Sequence, residues 1–103
     1  MASVAEPESK DQFLKKLENI MYFVYMLLCQ DGSYYIGSSN NVEKRLKDHL
    51  NGKGGKYTKS HKPLKLVYQE ALGNKSEALK REFQLKQWSR VKKEILAQSV
   101  TFP

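Results

Sequence analysis

The sequence contains a single cysteine, Cys29, in 103 residues. That excludes an internal disulfide and any zinc site built on several thiolates. A reducing, intracellular (cytoplasmic) setting is the matching expectation. Long apolar runs are also missing: the longest, residues 20–29, is ten residues, about half of what a bilayer crossing needs. No membrane partner is therefore expected. Residues 1–19 carry four acids and no apolar stretch, which excludes a signal peptide. Acidic residues are scarce in the middle of the chain, with none between Asp48 and Glu70.

What is present is enough apolar and aromatic residue, 40% and 11%, to build one modest core and too much for a disordered chain. The net charge is +7, and residues 21–103 hold 15 basic against 7 acidic side chains. A small domain with that surplus is expected to attract a polyanion, nucleic acid first. The reading divides the chain into a leader at 1–20, a domain at 21–98 and a tail at 99–103. Within the leader, Phe13, Leu14 and Leu17 share one face of a short amphipathic turn or two.

The domain alternates strand and helix patterns. Residues 22–28 read as a buried strand, Asp31-Gly32 as a hairpin turn and residues 33–37 as the return strand. Asn40 or Asn41 caps a helix with Val42, Leu46 and Leu50 inward, ended by Gly52. After a polar loop, Pro63 opens a third strand at 64–68. Asn74 and Glu77 have capping-box spacing for a helix at 75–88, with Ala78, Leu79, Leu85 and Trp88 inward. Ser89 caps a last helix, Arg90–Gln98, with Val91 and Ile95 inward. The expected fold is α+β: a three-stranded antiparallel sheet covered by helices, in the order β-β-α-β-α-α.

Four features bear on chemistry. Lys53, Lys56, Lys59, Lys62 and Lys65 recur every third residue around three glycines and Tyr57. Such a loop either cradles a nucleic-acid backbone, with Tyr57 stacking on a base or sugar, or is merely solvated. Arg45 and His49 lie one turn apart at the edge of the first helix's apolar stripe, a surface pair or a functional one. Glu82 falls among apolar positions, as an i,i+4 partner of Lys86 or as a hard oxygen ligand for a divalent cation. Tyr25 and Tyr35 occupy opposite faces if the turn has two residues. They share one face if it has three, Gln30-Asp31-Gly32, with Tyr25 opposite Gly37. The three-residue turn is the one predicted.

Val24-Tyr25, Tyr35-Ile36-Gly37, Arg45, His49 and Glu82, in this order and on these elements, resemble the GIY-YIG nuclease domain, and most closely its small stand-alone bacterial members. The resemblance spans residues 22–98 and includes the Gly-Lys-rich loop and the Ser-Glu-Ala-Leu-Lys-Arg-Glu stretch at 76–82. It implies metal-dependent hydrolysis of a phosphodiester, in DNA ahead of RNA, with one Mg²⁺ or Mn²⁺ held by Glu82. Tyr25 then helps deprotonate the attacking water, Arg45 contacts the scissile phosphate, and Tyr35 and His49 orient water or relay the proton. Lys53, Lys56, Tyr57, Lys59 and Lys62 bind nucleic acid. Two departures stand out: the first motif lacks its glycine, reading Phe23-Val24-Tyr25, and the region after Glu82 offers Glu94 where family members carry an asparagine. With no separate recognition domain, targeting by a protein partner is a further expectation. A non-catalytic module that keeps the scaffold and its basic face is the competing reading.

Overall fold

The computed structural model describes residues 9–13 and 21–99. The elements are β1 (Tyr22–Cys29), β2 (Tyr34–Ser39), α1 (Val42–Leu50), α2 (Lys56–Ser60), β3 (Pro63–Leu72), α3 (Lys75–Lys86) and α4 (Arg90–Gln98). Residues 10–13 form one helical turn. Phe13 there is exposed; the Leu14 and Leu17 positions lie outside the described residues.

The fold is α+β, with one antiparallel sheet ordered β2-β1-β3. The central strand β1 is covered on both faces, which is why it reads as an almost unbroken apolar run. Its alternation separates two cores. Val24 and Met26 join Ile36, Tyr68, Ala78 and Leu85 beneath α3. Tyr25 and Leu27 join Val42, with Phe23, Tyr35, Leu46 and Leu66 around them, beneath α1. Helices therefore lie on both sides of the sheet, and β2 and β3 are its edges. Pro63 opens β3, a position where a missing N–H costs no ladder bond.

The β1–β2 turn has the three-residue form. Leu27 pairs with Tyr35 and Tyr25 with Gly37. The Cys29 N–H donates to the Ser33 carbonyl at 2.8 Å, and Gly32 takes the left-handed φ of +83° that closes such a loop. Tyr25 and Tyr35 consequently share a face. The Ser33 amide and hydroxyl both donate to Asp31 Oδ1, at 3.0 and 2.6 Å, an Asx-type brace on the turn.

Caps set the helix starts. Asn41 accepts from the Lys44 amide, Asn74 from the Glu77 amide and Ser89 from the Lys92 amide, each satisfying an N–H without an intrahelical partner. Glu77 reaches back to the Gly73 amide, completing a near-relative of the capping box. Glu70 on β3 accepts from Tyr68 and from Arg81 Nε, at 3.0 and 2.9 Å, tying β3 to α3.

Several inward assignments need correction. Leu50 is 53% exposed, and His49 occupies the inward position instead. At about 100° per residue, position 49 returns almost under 42, whereas 50 is rotated about 80° away. The same geometry turns Leu79 outward and puts Glu82 on the stripe with Ala78 and Leu85. Val91 and Ile95 are each 62% exposed, and Leu96 and Ala97 pack inward in their place. The third strand runs to Leu72, because β1 pairs with it as far back as Tyr22. Helix α3 stops at Lys86, with Gln87 as its C-cap, two residues short of the expected end. The polar loop after Gly52 is not all loop, since α2 lies within it.

Candidate active site

Tyr25 lies on the middle strand and is 1% exposed. Its neighbour across the ladder is Gly37, and the tyrosine ring lies over that bare Cα. A Cβ at position 37 would come within 2.5 Å of the Tyr25 hydroxyl, so no larger residue fits there with the ring in place. The space that the missing side chain of Gly37 leaves is thus filled by Tyr25 itself.

Helix α1 delivers His49 to the same point from above. Tyr25 Oη and His49 Nε2 are 2.8 Å apart, and His49 Nδ1 is 3.0 Å from Thr58 Oγ1 on α2. The Thr58 hydroxyl has the Gly55 carbonyl as a longer acceptor at 3.5 Å. His49 and Thr58 are both buried. Tyr35 closes the cluster, its ring centroid 4.8 Å from His49 in an edge-on arrangement and 6.2 Å from Tyr25. Such edge and tilted aromatic contacts stabilise beyond simple area burial.

Gly54 completes the cradle. A Cβ there would sit 1.8 Å from His49 Nδ1. The sequence reading has these glycines admitting a ligand; at Gly54 the close approach is made by the protein's own imidazole. Gly52 and Gly55 serve the backbone, with φ of +76° and +109° that L side chains rarely adopt.

Electrostatics follow from burial. The Tyr25 hydroxyl is pushed up to about 12, mainly by burial and then by Tyr35, with the Arg45 guanidinium opposing. His49 is pushed below its ordinary value by burial and by Arg45, so the ring is neutral at neutral pH. Arg45 lies one turn before His49, half-exposed, with Asp48 3.6 Å away.

The shift at His49 carries a stability expectation. Above its unfolded value of about 6.5 the ring is neutral in both states and stability is flat. Below that, the unfolded chain binds the proton first, so stability falls with pH until the lowered folded value is passed. Urea titrations from about pH 7.5 to 5.5 are expected to show this fall, and a His49→Asn variant to lack that component. Equal slopes in the two proteins would contradict a neutral, desolvated His49.

At the mouth, Tyr57 stacks on His61 with centroids 4.2 Å apart and stands 5.6 Å from Tyr35. His61 Nδ1 pairs with Asp31 at the hairpin tip. The Ser33 hydroxyl, then His61, hold the Asp31 carboxyl well below the usual carboxylate range. Lys53, Lys56, Lys59 and Lys62 are exposed, and among the described residues no acid pairs with them. Lys59 and Lys62, with Gln30, Asp31 and Ser60, line an open groove of about 410 Å³.

Glu82 lies on α3, the helix whose Ala78 and Leu85 pack on the Val24–Met26 side of the sheet, with its own side chain 18% exposed and Lys86 Nζ at 3.5 Å. Among the described residues no hydrogen bond or ion pair links it to Tyr25, Tyr35, Arg45 or His49. No group of three His, Cys, Asp or Glu side chains there is placed to hold a metal. As a donor Glu82 still fits Mg²⁺ or Mn²⁺, since hard cations take one carboxylate and complete their shell with waters and phosphate oxygens. Its half-exposed Lys86 partner is free to swing away.

Sequence reasoning missed Thr58, Gly54, Asp31 and His61. Thr58 falls nine residues after His49 with no periodic relation to it. The available signal was the Gly-Gly-Lys-Tyr-Thr string, in which a buried hydroxyl follows the glycines.

A three-stranded sheet with two tyrosines on one face, and an arginine and a histidine one helical turn apart above them, defines the GIY-YIG catalytic domain, and the model of that family matches residues 21–94. The chain belongs to this family. It is 51% identical to a UPF0213 protein of Staphylococcus saprophyticus over 70% of this chain and 88% of that one. A UPF0213 protein of Bacillus licheniformis is 47% identical over 76% of this chain and 80% of its own. Among solved structures, the solution NMR structure of a UPF0213 protein from Bacillus halodurans is 42% identical and aligns with a TM-score of 0.51, over 81% of this chain and 88% of that one. Among the described residues, no helix is long and apolar enough to cross a membrane.

Proposed function

We propose that this chain binds nucleic acid through the face bearing Tyr35, Tyr57 and the lysines at 53–62, and that with one divalent cation it hydrolyses a phosphodiester there. Binding is the better supported half. The observation behind it is a run of exposed lysines, without acidic partners among the described residues, beside two stacked rings at the mouth of the tyrosine cluster. Lysines supply sequence-independent attraction to phosphates, and exposed aromatic faces accept bases. Two facts weigh toward a non-catalytic module: the Tyr25 hydroxyl is sealed from solvent, and the Glu82 carboxylate is paired with Lys86.

The observation that supports hydrolysis is the buried Tyr25–His49 hydrogen bond, which a simple binding surface does not need. In this reading Tyr25 accepts a proton from the attacking water while passing its own to His49 Nε2, so that a hydroxyl with a pKa of about 12 never has to exist as a free phenolate. Arg45, half-exposed above the cluster, meets the negative charge of the phosphate. Glu82 is the candidate ligand for the cation, which when bound neutralises charge developing on the phosphate and its leaving oxygen.

The test is nicking of plasmid, single-stranded, flapped and branched DNA, and of RNA, with Mg²⁺ or Mn²⁺, beside binding measured without metal. Binding with cleavage supports both halves; binding without cleavage in any metal leaves the non-catalytic module. For the lysines, each duplex phosphate contact adds about −0.9 to the slope of log K against log salt. Replacing Lys53, Lys56 and Lys59 together with alanine is expected to flatten that slope by about two to three units. An unchanged slope in a folded variant would make the loop solvent-facing.

A further inference from the structure

We propose that Thr58 is a positioning residue that fixes the tautomer of His49, holding the proton on Nδ1 so that Nε2 faces Tyr25 as an acceptor. This rests on the hydrolytic reading for its purpose, though not for its geometry. The polar chain runs from Tyr25 Oη to His49 Nε2 at 2.8 Å, then from His49 Nδ1 to Thr58 Oγ1 at 3.0 Å. It ends at the Gly55 carbonyl, 3.5 Å from the Thr58 hydroxyl. A carbonyl only accepts, so a Thr58 hydroxyl turned toward Gly55 gives the chain one direction. Thr58 donates to Gly55, accepts from His49 Nδ1–H, and leaves the Nε2 lone pair for the Tyr25 proton.

The site is built for this arrangement. His49 and Thr58 are 1% and 2% exposed, so water does not substitute for either partner. Among the described residues, no buried side-chain polar atom lacks a hydrogen bond. Gly54 leaves the space in which the Nδ1 edge of the ring lies, and one short helix, α2, brings the hydroxyl to it. The second ring nitrogen of a functional histidine is normally held by a group that sets tautomer and orientation. Here that group is a neutral hydroxyl. A carboxylate in its place would raise the imidazole's proton affinity; a hydroxyl fixes the proton's position and leaves the ring neutral. In the other tautomer Nε2 would carry the hydrogen and could take nothing from Tyr25.

The experiment is long-range ¹H–¹⁵N NMR of the His49 ring in wild type, Thr58→Val, Thr58→Ser and Thr58→Ala, read together with DNA binding and cleavage. Wild type and Thr58→Ser are expected to show the Nδ1–H form. Thr58→Val keeps the shape but offers no acceptor, so the proton should move to Nε2. Thr58→Ala provides the same reading if the valine variant fails to fold. Cleavage is expected to fall about 10–100-fold in kcat, by analogy with the groups that orient metal-bound histidines, with KM and metal-free binding unchanged and serine restoring the rate. An unaltered Nδ1–H signal in a folded valine or alanine variant overturns the proposal. If the tautomer moves as expected but wild type cleaves no substrate, Thr58's role stands and the hydrolytic reading falls.

Discussion

Gly54→Ala is expected to lower stability by about 1–3 kcal/mol, the usual cost of forcing atoms into a packed interior, and to break the Tyr25–His49 hydrogen bond. The added Cβ would lie 1.8 Å from His49 Nδ1 and 2.5 Å from Cε1, so the ring or the loop must shift. The ring is held at one nitrogen by Tyr25 and at the other by Thr58, with Tyr35 edge-on against it. It has no free direction in which to move. The comparison is Gly52→Ala, two residues earlier. There a Cβ meets nothing within 4 Å, but the backbone is left-handed at φ +76°, so the cost is about 1 kcal/mol of conformational strain and the site stays intact. Denaturant unfolding and the His49 ring resonances separate the two cases. Gly54→Ala with wild-type stability and an unmoved His49 would show that the imidazole does not occupy this cradle.

The same glycine shows where sequence reasoning ran short. A Gly-Lys-rich loop announces flexibility and charge, and both are present, since Gly52 and Gly55 take positive φ and the lysines point outward. Nothing local says that Gly54 is buried beneath a histidine, because that contact depends on how α2 folds back over α1. A five-residue helix has too few positions for an apolar period to register. The hairpin was legible for the opposite reason. Its register is fixed by a local count of turn residues, and a shift of one would have put Tyr25 and Tyr35 on different faces. The sheet, helices α1, α3 and α4 and their three N-caps likewise rest on short-range patterns that the chain carries openly.

Helix faces were harder to read. Apolar spacing alone placed Leu50, Leu79, Val91 and Ile95 inside, yet all four are exposed. In α1 and α3 the inward stripe includes a polar residue, His49 or Glu82, that a hydrophobic pattern passes over. Polar residues on inward stripes are where function overrides patterning. That rule picks out His49 from its 1% exposure, and it raises the standing of Glu82, whose position on the stripe has no packing rationale.

Glu82→Gln is expected to abolish metal-dependent cleavage, by orders of magnitude, while leaving the fold almost unchanged. The amide keeps the size of the side chain but removes the charge that a hard divalent cation needs from its one protein ligand. The loss of the Lys86 pair costs little. Its Nζ–Oε2 separation is 3.5 Å with Lys86 half-exposed, and i,i+4 pairs of this kind contribute about 0.3–0.5 kcal/mol. Metal-free binding to DNA should stay equal or tighten, because one carboxylate that repels phosphate has gone and Lys86 is released. Isothermal titration with Mn²⁺ gives a readout independent of turnover, and the variant is expected to lose whatever Mn²⁺ binding wild type shows in the presence of a non-cleavable DNA. If Glu82→Gln nicks DNA at the wild-type rate in both metals, the cation is not held by Glu82, and the pairing with Lys86 is its whole role. If wild type binds DNA yet neither cleaves it nor takes up Mn²⁺ with it, Glu82 is an ordinary helix-surface partner of Lys86. The buried Tyr25–His49–Thr58 chain then serves to hold α1 and α2 over the sheet of a binding protein.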